Sequence, residues 1–173
     1  ESQELLVNGA DDAFSSALLR FSTAPADGVR IGSAVMRLFK VAGGDNGGVG
    51  GGIVEVFAVS GDVDSVDEST SYEVFVGGNA EMVGSPSAVP LPQENATWVE
   101  VDVTSAYNDA ISTGAAYVTW SIQPSATGSQ VGACPGCEIL RGSSTDEVSF
   151  ASSSDATYAP NLVVVPSTAE VLV

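Results

Sequence analysis

The chain has 173 residues, of which 22 are acidic and five are basic, and its formal net charge is −17. This length fits one domain spanning residues 1–173, and a hydrophobic content of 44% is too high for a disordered chain. The charge argues against nucleic acid as a partner, because phosphate binding requires clustered Lys and Arg, and no apolar run is long enough to predict membrane insertion.

Short apolar or alternating runs recur along the chain and end at Gly, Ser, Asp or Pro, as β-strands do. In chain order they are ELLV, ALLRFS, SAVMRLFKV, GIVEVFAV, SYEVFV, TWVEVDV, AAYVTWSI, EVSFAS and NLVVVP. Many short strands without long helical patterns predict an all-β protein, a two-sheet antiparallel β-sandwich of jelly-roll type.

One short helix is predicted over TSAYNDAIS, between two strands. Thr104 or Ser105 is the expected N-cap, and Ala106, Ala110 and Ile111 share one face. The glycine-rich run GGDNGGVGGG at residues 43–52 lacks the Lys and Ser/Thr of a phosphate loop and is followed by a strand. It predicts a flexible hairpin connection.

The acidic stretch GDVDSVDES offers Asp62, Asp64 and Asp67 as calcium ligands. It lacks the spacing and the central Gly of an EF-hand loop, so a solvated acidic turn is the alternative. No cofactor is required by any pattern in the chain, and Ca²⁺ is the one ion that these residues suggest.

Two cysteines stand close together as Cys134-Pro-Gly-Cys137. A zinc site built from Cys and His is excluded because it needs four ligands and the chain has no further Cys and no His. A disulfide that closes a loop is predicted, with free thiols or a redox pair as alternatives, and a disulfide indicates an extracellular compartment.

The triplet Asn95-Ala96-Thr97 is an N-glycosylation acceptor sequence, a type of triplet that also arises by chance.

Four of the five basic residues fall between residues 18 and 40, and they form either a binding patch or structural ion pairs. Strand alternation puts Arg20 and Arg37 on faces that also carry apolar residues, whereas Arg30 lies in a turn and Lys40 ends a strand. Such scatter favours arginine stems on apolar surface with their guanidinium groups paired to carboxylates. We expect one such pair between Arg20 and Asp102.

Several segments in a fixed order resemble the extracellular β-sandwich modules called DNRLRE-domain proteins, which include alginate-binding carbohydrate-binding modules. They are ALLRFSTAP with VRIGSAVMRLF, EVFAV with DESTSYEVF, WVEVDVTSAYNDAI, and YAPNLVVV. The resemblance extends from Leu5 to Val165, and it implies a jelly-roll-like fold, an extracellular or cell-surface location and a polysaccharide partner. The chain departs from the family in lacking a Trp ahead of SVDESTSY and an Arg in ASSSDA.

Two further departures concern the ends of the family pattern. The opening strand of the family is missing here, and the extra tail STAEVLV follows NLVVVP. A sheet edge without its partner is an association site, and a tail at residues 167–173 is suited to add a strand to a neighbouring copy. Head-to-tail addition of this kind gives filaments. The alternatives are a truncated chain or a tail that folds back on its own sheet.

Catalysis is not expected, because nucleophilic triads lack their His and no carboxylate pair stands out among the acidic residues. The predicted function is a non-catalytic carbohydrate-binding or cell-surface attachment module, and a neutral glycan suits the charge better than a uronic-acid polymer. Trp98 and Trp120 are expected in the core. Tyr72, Tyr107, Tyr117 and Tyr158 are the candidate ligand-binding aromatics, and Tyr107 on the helix is expected to be the most exposed. The alternative function is a structural subunit that assembles with other copies of itself by strand complementation.

Overall fold

The structure is a computed structural model that describes residues 4–7, 16–23, 30–43, 52–61, 80–124 and 148–167. These residues form two antiparallel sheets and one helix, so the predicted all-β sandwich with one short helix is confirmed. The elements are β1 (Glu4–Val7), β2 (Ala17–Ser22), β3 (Ile31–Gly43), β4 (Ile53–Gly61), β5 (Ala80–Pro90), β6 (Thr97–Asp102), α1 (Thr104–Ser112), β7 (Tyr117–Pro124), β8 (Val148–Ala151) and β9 (Asn161–Pro166).

The five-stranded sheet is organised around the long strand β3. Strand β6 pairs with one side of β3, while β9 and β8 share its other side, β9 along Ile31–Arg37 and β8 along Lys40–Gly43. Strand β1 pairs with the far side of β8. β3 is long because two shorter strands follow one another along its length.

The four-stranded sheet has the order β2-β7-β4-β5. Strand β5, with the sequence AEMVGSPSAVP, is the element that the sequence patterns do not predict. It contains two prolines, which lack the N–H that a ladder needs, and β5 is outermost among the described strands of this sheet, where proline is tolerated. Its register against β4 shifts between the Val56–Ser87 and Ala58–Val83 pairs, so residues 84–86 interrupt the alternation.

The core lies between the two sheets and follows the predicted alternation of side chains. Ala34, Met36 and Leu38 of β3 are fully buried, and Trp120 of β7 is buried with them, as expected for a core tryptophan. Val99 and Val101 of β6 point into the same core, so Trp98, Glu100 and Asp102, which alternate with them, lie on the opposite side of the sheet.

Helix α1 covers the predicted segment, but neither predicted residue is its N-cap. That position is Val103, which makes no side-chain cap. Asp102 accepts the first free helical N–H instead, from Thr104 at 2.9 Å. The side chain of Asn108 bonds to both the N–H and the C=O of Ile31, each at 3.0 Å, and so continues the β3 ladder as a strand would. The helix is therefore fixed against the start of β3.

The prediction that Tyr107 is exposed is wrong. Its side chain is 2% exposed and belongs to the core cluster, together with Val103 one turn earlier. The helix packs its Tyr107 face against the sandwich, because burying a large aromatic side chain stabilises the fold more than burying the small side chain of Ala106. Tyr107 is thus removed from the candidate ligand-binding residues.

The glycine-rich connection between β3 and β4 is not a hairpin, since the two strands lie in different sheets. Local patterns cannot reveal this, because a strand has the same alternation whether it pairs with its neighbour in sequence or joins the opposite sheet. In the part of the chain that the structure describes, no helix is long and apolar enough to cross a membrane.

Candidate functional site

The described basic residues do not converge on one surface. Lys40 is fully buried, and its Nζ donates to the backbone oxygens of Pro92, Gln93 and Glu94 at 2.7, 3.4 and 3.4 Å. Arg30 is exposed just before β3. The dispersed arrangement favours structural roles over a basic groove.

The predicted pair between Arg20 and Asp102 is wrong. Arg20 lies on β2 in the four-stranded sheet and Asp102 on β6 in the other sheet. The carboxylate of Asp102 accepts the hydroxyl of Thr104 at 2.6 Å and its backbone N–H, and these two bonds lower the pKa of Asp102. The guanidinium of Arg20 instead lies 4.0 Å from the ring centre of exposed Tyr117. Alternation gives the face of a residue within its strand, but not the sheet to which the strand belongs.

The side of the five-stranded sheet that points away from the core carries a mixed set of side chains, and we call it the outer face. Its rows follow from the strand register, because residues directly opposite each other in a ladder share a face. On β3, these residues alternate with buried Ala34, Met36 and Leu38. The rows are Val163–Val35–Asp102, Asn161–Arg37–Glu100 and Phe39–Trp98.

Three aromatic rings at one end of the outer face form what we call the aromatic platform, consisting of Phe39, Trp98 and Tyr158. Tyr158 stacks on Phe39 with ring centres 4.0 Å apart and planes 13° apart. Trp98 meets Phe39 edge-on at 5.2 Å and lies 6.4 Å from Tyr158. Phe39 is buried, whereas Tyr158 is 41% exposed. The outward part of the platform is therefore the ring of Tyr158.

A short turn holds Tyr158 in this position. Asp155 accepts the backbone N–H groups of Tyr158 and Thr157, both at 2.8 Å, in the turn before β9. These bonds favour the ionised carboxylate and lower the pKa of Asp155. The orientation of the exposed ring thus depends on a carboxylate three residues earlier.

An ion pair borders the aromatic platform. Arg37 Nε lies 3.1 Å from Glu100 Oε1, and this contact is an ion pair rather than a well-directed hydrogen bond. The guanidinium also lies 4.8 Å from the ring centre of Trp98. As predicted for the arginines, the guanidinium of Arg37 pairs with a carboxylate and lies against an apolar ring. This charged group is therefore next to the platform.

The remaining predicted residues are placed as follows. Asn95 is exposed in the turn at residues 93–96 that precedes β6. Tyr72, Cys134, Cys137, Asp62, Asp64 and Asp67 lie outside the described residues, as does the tail beyond residue 167. Within the described ranges, no group of three or more Cys, Asp or Glu residues is placed to hold a metal ion.

Sequence patterns predicted one member of the platform, Tyr158, and missed Arg37, Phe39 and Glu100 as site residues. The alternation in SAVMRLFKV and TWVEVDV does place Arg37 with Phe39, and Trp98 with Glu100. What joins these two sets is the register between β3 and β6, which aligns Arg37 with Glu100 and Phe39 with Trp98.

No protein-family model matches the chain, and no curated protein is significantly similar to it. The chemistry of the site therefore has to be inferred from its own residues. An exposed aromatic ring offers a flat apolar contact, the arginine offers several N–H donors, and the carboxylate offers acceptors. Together, these groups suit a ligand with an apolar face and hydroxyl groups at its rim.

Proposed function

We propose that this protein is a non-catalytic, extracellular carbohydrate-binding module whose outer face holds a polysaccharide. The observation that supports this proposal most directly is that the ring of Tyr158 is exposed and stacks on the buried ring of Phe39. A sugar ring has an apolar face that stacks on such a ring, and Arg37 and Glu100 lie beside it to bond hydroxyl groups.

The rigidity of the platform also supports glycan binding. Tyr158 is held by the stacking with Phe39 and by the turn that Asp155 closes. A side chain that is ordered before the ligand arrives loses less conformational entropy on binding. An exposed ring without such support is a poorer binding group.

The test compares two tyrosines of similar exposure on opposite sheets. Tyr158→Ala should weaken glycan binding about 30-fold or more, because truncating a central aromatic anchor costs about 2 kcal/mol or more. Tyr117→Ala is the matched control, since Tyr117 is 51% exposed but lies on the four-stranded sheet. Binding is measured by calorimetry and affinity gel electrophoresis against soluble glucans, mannans, galactans, alginate and pectate.

Two results would contradict the proposal. One is the absence of binding to every glycan of the panel by the wild-type chain. The other is equal binding by Tyr158→Ala and wild type, with the fold of both proteins verified by circular dichroism.

A second function, self-assembly, is favoured by the exposed valines of β9. Val163 and Val165 are 44% and 52% exposed, and among the described strands β9 pairs only with β3. An apolar strand at a sheet edge is a site where another copy of the chain adds a strand. Sedimentation velocity tests this: assembly predicts concentration-dependent oligomers that the Val163→Lys, Val165→Lys variant loses, and monomers at all concentrations would exclude it.

A further inference from the structure

The pair formed by Arg37 and Glu100 has chemistry that the aromatic platform alone does not supply. The contacts of Arg37 within the described part of the chain involve Nε and the flat face of the guanidinium. The terminal Nη1 and Nη2 groups therefore remain as donors for a ligand. The side chain of Glu100 is 61% exposed, and its carboxylate oxygens are hydrogen-bond acceptors next to those donors.

We infer that Arg37 and Glu100 together form hydrogen bonds with two adjacent hydroxyl groups of a neutral polysaccharide while Tyr158 stacks on a sugar ring. Resting on the proposed function, this assignment narrows its ligand class from glycans in general to uncharged ones. The planar guanidinium presents two parallel N–H groups to neighbouring oxygens, and the carboxylate accepts an O–H from the same pair.

The charges on the outer face favour a neutral over an anionic sugar. Arg37 is the one cation in the three rows of this face, where it is accompanied by Glu100 and Asp102. A uronate carboxylate that reached Arg37 would lie beside Glu100, and like charges at short distance repel. Hydroxyl groups carry no such penalty and use both members of the pair.

Glu100→Gln separates the two ligand classes because it changes the charge with little change in shape. For a neutral diol it removes a charged acceptor, so the affinity should fall about tenfold. For a uronate it removes a repelling charge, so the affinity should rise. Glu94→Gln is the matched control: Glu94 is an exposed residue of the turn before β6, and its change alters net charge equally without altering the site.

Arg37→Lys tests the geometry of the donors. Lysine keeps the positive charge but loses the planar pair of N–H groups, so the affinity for a neutral glycan should fall about tenfold. Binding should also be nearly unchanged when NaCl is raised from about 50 mM to about 500 mM, because a neutral ligand has no charge to screen. Thermal unfolding of each variant verifies that the fold is retained.

The experiment uses the intact chain with whichever panel glycan binds it. The inference is supported if a glucan, mannan or galactan binds in a Tyr158-dependent manner and Glu100→Gln weakens that binding while Glu94→Gln does not. It is overturned if alginate or pectate is preferred and Glu100→Gln strengthens binding, an outcome that leaves the proposed glycan-binding function intact. If no glycan binds, both the proposed function and this inference fail.

Discussion

The buried ammonium of Lys40 provides a direct test of how the chain uses its few cations. Lys40→Met keeps an unbranched apolar side chain in the core but removes Nζ and its bonds to three backbone oxygens. The 2.7 Å bond to Pro92 is short, whereas those to Gln93 and Glu94 are 3.4 Å long. The residues Gln93 and Glu94 are exposed, so water can replace the two long bonds.

The expected magnitude follows from the short bond. A hydrogen bond from a charged donor contributes about 1.5–3 kcal/mol, and removing a buried charge offsets part of its loss, so Lys40→Met should lower the free energy of unfolding by about 1–2 kcal/mol. Lys40→Ala also removes the buried stem, and a large-to-small core substitution of this kind costs about 2–5 kcal/mol more.

Urea unfolding at neutral pH, followed by circular dichroism, measures both losses. Arg30→Met is the control, because Arg30 is a cation on the same segment whose side chain is exposed, and its change should stay within about 0.5 kcal/mol. The reasoning is refuted if Lys40→Met is as stable as wild type or more stable. In that case, the bonds to the turn at residues 92–94 do not outweigh the burial of the charge.

The remaining predictions concern two aspartates and a glycan acceptor. Asp155→Ala should weaken glycan binding by releasing Tyr158, whereas Asp155→Asn should retain it because the amide oxygen accepts the same two N–H groups; equal losses in both would contradict a positioning role. The pKa of Asp102 is lowered from 3.8, so its contribution to stability is complete above that value and disappears as pH falls through the lower, folded-state pKa. The stability of Asp102→Asn relative to wild type, measured by urea unfolding, should therefore improve in acid, and a constant difference would refute the assignment. When the chain is secreted from a glycosylating host, Asn95 should carry a glycan, and mass spectrometry should detect this residue as Asp after peptide-N-glycosidase treatment. Thr97→Ala should abolish the modification, whereas Thr97→Ser should keep it. An unmodified Asn95 would contradict the prediction.

Sequence patterns predicted those elements whose own residues form a clear apolar or periodic run. β2 and β9 begin and end at the predicted residues, as does α1, because each is an uninterrupted apolar or periodic run bounded by turn residues. β5 has no such run. It contains Gly84, Pro86 and Pro90, and it is a strand because β4 offers an edge to pair with.

The errors at side-chain level have a different physical origin. Tyr107 was expected to be exposed because it lies on the short helix, but the sequence does not show which side of that helix packs against the sandwich. The pairing of Arg20 with Asp102 failed because it required both strands to lie in one sheet. Both errors concern which elements meet in space, a property set by the packing of the whole chain.

The candidate site also depends on contacts between residues that are far apart in the sequence. Tyr158 was identifiable as an aromatic residue next to a predicted strand, but its fixed orientation comes from Phe39, which lies more than a hundred positions earlier and stacks on its ring. Trp98 was expected in the core and is instead half-buried on the outer face, where Arg37 covers its ring. The register of β3 with β6 determines this outcome, and no local pattern encodes that register.

The placement of Arg37 also relates the site to the charge of the whole protein. A chain with a net charge of −17 repels an anionic ligand from almost any surface, and it gives a neutral ligand no electrostatic attraction. Binding strength must then come from short-range contacts, namely stacking and hydrogen bonds. Arg37 offsets the charge of Glu100 at 3.1 Å, which lowers the repulsion between the carboxylates of the outer face and keeps both donors and acceptors available next to Tyr158. A substitution such as Arg37→Met should therefore reduce glycan binding more than Arg37→Lys does, because it removes the donors and leaves Glu100 without its cationic neighbour, next to the row that holds Asp102.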